Sequence, residues 1–156
     1  MSDPLRELLA KTLDWQQAHA SFDSSIEGLP AELRGRRPTG APHSVWELVE
    51  HIRLAQLDIL DFCRDENYAE KTWPDDYWPT APAPASDKAW KDSIASYHAD
   101  VKAFKALVLD ANFDLFANVP WGSGQTHIRE VALVFDHTSY HTGQIVLTRQ
   151  LLGAWK

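Results

Sequence analysis

The chain has 156 residues, 44% of them hydrophobic and 24% charged, which suits one soluble domain spanning 1–156 and excludes a disordered or membrane class. A formal charge of −7 with basic residues clustered only in "RGRR" at 34–37 argues against a nucleic-acid partner. No apolar run nears the ~18 residues of a membrane span and "MSDPLRELL" lacks a signal-peptide layout, so a cytoplasmic protein with no membrane partner is expected.

In chain order, Asp3 can cap a first helix and Pro4 can take its first position. Leu5, Leu8, Thr12, Trp15, His19, Phe22 and Ile26 then recur at spacings of three and four, so one long amphipathic helix is expected to run to about "EGLP". The loop "RGRRPTGAPH" follows. Ser44 and Glu47 match a capping box for a second helix, whose apolar positions Val45, Leu48, Ile52, Ala55, Ile59 and Phe62 carry it to about Cys63. Four prolines between Arg64 and Ala85 forbid a regular helix there, and the aromatics Trp73, Tyr77 and Trp78 suit an ordered crossover packed on the other helices.

A third helix is expected from Ser86 or Asp87, with the stripe Trp90, Ile94, Tyr97, Val101, Phe104 and Val108. The glycines of "FDLFANVPWGSGQ" suit a tight turn or short hairpin. Thr126 can then cap a last helix from about His127 to Leu152, stopped by Gly153. Four amphipathic segments with little strand-like alternation predict an all-α fold, a four-helix bundle with a long crossover between helices 2 and 3.

The last helix carries the chemistry. Val134, His137, His141, Ile145, Thr148 and Leu152 form one stripe, apolar at both ends, so both imidazoles face the bundle interior or its mouth. Two histidines four residues apart are stacked neighbours from which two nitrogens can reach one ion at ~2.1 Å. A third donor is needed, and His51 at the edge of helix two's buried face is the best candidate. Three neutral imidazoles suit Zn, Ni, Cu or Fe better than Mg or Ca, and three protein ligands leave a position open, as in catalytic sites. The single cysteine, Cys63, offers neither a disulfide nor a thiolate cluster.

A plainer reading sits beside this one: histidines on an apolar stripe are often hydrogen-bonded core residues, and Thr148 shows that this face accepts a polar group. His19, on helix one's stripe, is a further candidate to line the same pocket. Thr138 follows His137, so H-E-x-x-H is absent, and no Glu-x-x-His occurs, which removes the zincin and di-iron carboxylate patterns. Gln144, three residues past His141, is a candidate to orient a ligand. Glu47, one turn before His51, is a candidate second partner of that imidazole or a general base, and its capping duty explains it equally well.

The run "SVWELVEHIRLAQ" with its helix-two histidine, the long crossover, and "DHTSYHTGQIVLTRQLLG" near the C-terminus together resemble the DinB/YfiT-like family of bacterial four-helix bundles, over nearly the whole chain. The resemblance implies a divalent ion, zinc or nickel, on His51, His137 and His141, and a homodimer. It further implies a metal-dependent transferase acting with low-molecular-weight thiols such as bacillithiol or mycothiol, or a thiol-dependent isomerase. The sequence-level expectation is therefore a thiol S-transferase or hydrolase-like enzyme acting on small electrophiles in stress or detoxification; the alternative is a non-catalytic metal- or ligand-binding stress-response protein.

Overall fold

A computed structural model describes residues 3–15 and 18–155. Its helices are α1 (Pro4–Thr12), α2 (Phe22–Ile26), α3 (Val45–Arg64), α4 (Asp87–Leu109) and α5 (His127–Leu151), with single 3₁₀ turns at Ala31–Leu33 and Asp75–Tyr77. Among the described residues the only strand-like pairing is an isolated antiparallel bridge between Asn118 and Thr126. The all-α class and the helical bundle expected from the sequence are thus what the chain adopts. No helix is long and apolar enough to cross a membrane among the described residues.

The first expected helix is divided. α1 is capped as its sequence dictates: Asp3 Oδ1 accepts from the Leu5 amide at 2.9 Å, and Pro4 occupies the first turn. The helix stops at Thr12 because residues downstream offer a competing start. Ser21 Oγ accepts from the Ser24 amide at 3.1 Å and caps α2 afresh. Apolar spacing kept the face of both pieces but could not register the break between them.

The later elements follow their end signals closely. The capping box at α3 is formed in both directions, with the Glu47 amide donating to Ser44 Oγ at 3.2 Å and the Ser44 amide to Glu47 Oε2 at 2.8 Å. α5 ends in a Schellman motif: Gly153, at φ 68°, donates to the Gln150 carbonyl, and Ala154 donates to that of Arg149. Thr126 stands at the N-cap of α5, yet its side chain makes no capping bond. The loop before it turns back as a short hairpin, Val119 donating to the Gln125 carbonyl at 2.8 Å, with Gly124 at φ 107°.

α3 is the central element, packed along both α4 and α5, while α1 lies on α4 and α2 on α5. The core between them holds Val49, Ile52, Leu60, Tyr97, Phe104, Val108, Val131 and Ile145. The basic loop is absorbed in part by this frame. Arg34 pairs with Asp87 at 2.6 Å and lies over the Trp90 ring, and Arg37 clasps Glu47.

Candidate metal centre

Because α3 and α5 pack side by side, His51 of α3 meets His137 and His141 of α5. Each offers a ligand nitrogen, and these three atoms lie within 4.8 Å of one another. The ring centroids are 4.5 to 4.8 Å apart, and the Nε2 atoms of His51 and His137 are separated by 3.1 Å. Nitrogens about 2.1 Å from one ion stand about 3.0–3.6 Å apart for bond angles between right-angled and trigonal, so the His51–His137 pair is already spaced for a shared ion.

What orients the rings matters as much as their positions. His51 Nδ1 lies 2.8 Å from the Tyr77 carbonyl; a carbonyl only accepts, so Nδ1 carries the proton and Nε2 presents a lone pair. His141 Nδ1 donates to Gln144 Oε1 at 2.7 Å, which likewise leaves its Nε2 free. The His51 ring is further fixed by Trp78, stacked at 3.9 Å and 1°, and the other face of that indole carries His43 at 3.9 Å.

Burial keeps the three imidazoles neutral. His137 is pushed down to about 3 by loss of hydration and then by the neighbouring His141 and His51. Desolvation likewise lowers His141, to about 4, against the opposing bond to Gln144, and it lowers His51 against the bond to Tyr77. Metal binding requires unprotonated imidazole, so the apoprotein holds its ligands in the competent form at neutral pH.

Each residue singled out in the sequence has a definite place. His51, His137 and His141 converge; Gln144 sits one turn beyond and orients His141. Glu47 is turned away from the cluster: its oxygens take the Ser44 amide and the Arg37 guanidinium, while His51 uses the Tyr77 carbonyl instead. His19 is exposed and borders a separate small cavity with Leu13, Tyr97 and Thr142.

Three other participants have roles at the cluster that sequence reasoning did not assign. The Tyr77 carbonyl and the Trp78 ring belong to the crossover, whose aromatic content signals packing but not a target. Tyr140 stands beside the cluster as well, its ring 4.9 Å from that of His141 while remaining 64% exposed.

The comparison with known families agrees with this geometry. The model of the DinB superfamily matches residues 14–145. The chain belongs to the DinB superfamily. No curated protein and no solved structure matches it. Within this DinB-like chain the matched segment includes all three clustered histidines, and the donor set, three imidazoles with no carboxylate or thiolate among them, is compatible with a divalent transition metal.

Proposed function

We propose that this DinB-like protein is a metal-dependent enzyme that joins a low-molecular-weight thiol to a small electrophile, with His51, His137 and His141 as the ligands of a zinc or nickel ion. The observation that carries the reading is the convergence of three neutral imidazoles with no fourth His, Cys, Asp or Glu donor in the cluster among the described residues. A closed structural site ordinarily supplies four protein ligands; three leave room for a small molecule. When bound, the ion supplies Lewis acidity that lowers the pKa of a thiol or of water, which supports S-transfer first and hydrolysis second.

The chain's own residues do the positioning. Tyr77 and Gln144 hold two imidazoles in the tautomer that presents Nε2, and Trp78 covers one face of His51 against water. Trp73, 69% exposed and 6.4 Å from the His51 ring, and the exposed Tyr140 beside His141 flank the cluster. A homodimer in the cytoplasm is proposed on the family resemblance, to be read by sedimentation and fractionation.

One observation favours a second reading, in which the protein sequesters a metal or ligand without catalysis. Glu47, the base the sequence offered, has both oxygens engaged. Zinc- and nickel-loaded protein, its metal counted by elemental analysis, should consume thiol in the presence of chloro-aromatic or epoxide acceptors, and His137→Ala should not. Stoichiometric metal without turnover across thiols and acceptors would leave sequestration standing in place of the enzyme.

A further inference from the structure

One end of the α3–α5 seam opens into a cavity of about 280 Å³ between residues 39–43, Leu48 of α3, and Gln144, Leu147, Thr148 and Leu151 of α5. Its lining is mostly apolar, with Thr39 and Thr148 the small polar exceptions in its body. Gln144, which holds His141, and His43, which stacks on the far face of the Trp78 that covers His51, stand at the end nearest the histidine cluster. Pro42, Leu48, Leu147 and Leu151 supply the apolar remainder.

Beyond Thr39 and Leu151, which border both spaces, the surface continues into a recess lined by Arg36 and Arg37. Arg34 and Arg37 already have acidic partners in Asp87 and Glu47, whereas Arg36 has none within 4.0 Å among the described residues. Imidazole cluster, apolar cavity and unpaired guanidinium therefore follow one another along the last turns of α5. At 1.5 Å per residue, the seven residues from Gln144 to Leu151 span about 10 Å.

We propose that this cavity binds an amphiphilic monoanion: a small molecule whose hydrocarbon or aryl body fills the space between Leu48 and Leu147, whose anionic end meets Arg36, and whose other end points to the histidine cluster. An apolar cavity of about 150 Å³ holds benzene, so 280 Å³ admits a bicyclic aryl group or a medium-length alkyl chain. Charge selects the head: the guanidinium donates to a carboxylate, sulfate or phosphate and repels ammonium. Any reaction of the end that points to the histidine cluster rests on the enzymatic reading above; the binding does not.

The test is calorimetric titration of metal-loaded and metal-free protein with decanoate, decanol and decylamine. Decanoate should bind at least about 10-fold more tightly than decylamine, with decanol between them. Arg36→Gln, which removes the charge without reversing it, should lower the decanoate affinity and raise that of decylamine by about threefold each, bringing the three ligands level. Leu147→Trp, at a position 54% exposed and so safe for folding, should fill the cavity and abolish binding of all three. Thermal melts would verify that both variants stay folded.

Equal affinity for decanoate and decylamine in the wild type, or decanoate binding untouched by Leu147→Trp, would overturn the proposal. So would absence of binding together with a dimer that Leu147→Glu dissociates, since a second copy would then cover this face. Decanoate binding without any thiol turnover keeps the cavity and removes the enzyme; turnover without decanoate binding does the reverse.

Discussion

α4 and α5 are similar in length and both lie against α3, yet they bury different chemistry. α4 buries Trp90, Tyr97, Val101, Phe104 and Val108, with Ser93 the one small polar exception. Among the buried residues of α5 are His127, Glu130, His141, Thr142, Thr148 and Arg149, interleaved with Val131, Val134 and Ile145. A polar group taken out of water costs about 1–3 kcal/mol unless it finds a partner. On α5 most do: Glu130 takes Arg129, His127 the Asp114 carbonyl, and Arg149 the carbonyls of Ser25 and Ala154. The histidine cluster differs from all of these: with Nδ1 of His51 protonated, His137 Nε2 donates to the His51 Nε2 lone pair at 3.1 Å, so two imidazoles partner each other instead of a carbonyl or a carboxylate. α4 therefore stabilises the fold, while α5 gives up apolar contact to keep imidazole nitrogens together at one point.

That contrast can be broken most forcefully on the α4 side. Phe104 is completely buried, and Phe104→Ala should cost about 3–5 kcal/mol in chemical denaturation. Metal affinity of the folded fraction should be unchanged; a parallel loss of affinity would show that α4 shapes the site as well as the core. Conversely, His137→Ala should weaken zinc or nickel binding at least about 100-fold by competition with a chelator, since loss of even an outer partner typically costs 10–100-fold. The metal-free variant should unfold close to the wild type, and severe destabilisation would instead make His137 a packing residue.

Gln144→Leu sharpens the comparison inside α5. It removes the acceptor for His141 Nδ1 while leaving every ligand in place, so metal affinity should fall about 10-fold, near the low end for outer partners. An unchanged affinity would mean that His141 needs no fixed tautomer.

The pH response should also separate the two helices. His137 and His141 titrate near 3 and 4 in the fold, against about 6.5 when unfolded. Between those limits the unfolded chain binds more protons, so apoprotein stability should rise with pH from about 4 to 6.5 and level off above. A melting series across that window should lose much of its slope in a His137→Ala, His141→Ala double variant, the remainder coming from His51 and His43, and keep its slope in Phe104→Ala. The smallest effect is reserved for Tyr77→Phe. It deletes the hydroxyl that donates to Asp58 at 2.7 Å but keeps the carbonyl that orients His51, so about 1–2 kcal/mol of stability should go and metal affinity should hold.

Much of this was legible in the sequence because its causes are local. Helix faces are written in spacings of three and four, the α3 start in Ser44 and Glu47, the α5 end in Gly153, and the pairing of His137 with His141 in a single helical turn. His51 was reachable too, since its place on the buried edge of α3 follows from the same periodicity. The division of the first helix was not, because Ser21 can either continue a helix or start another, and the periodic stripe is the same in both cases.

Only the tertiary structure decided what surrounds the ligands. The crossover delivers the Tyr77 carbonyl to His51 and slides Trp78 between His51 and His43, contacts across 26 to 35 residues that no local pattern encodes. It also engaged Glu47 with Arg37 and left Arg36 open beside an apolar cavity, although all three arginines look alike in "RGRR". Spacing along the chain determines which side chains share a face; which atoms of those side chains are free depends on partners that only packing brings into reach.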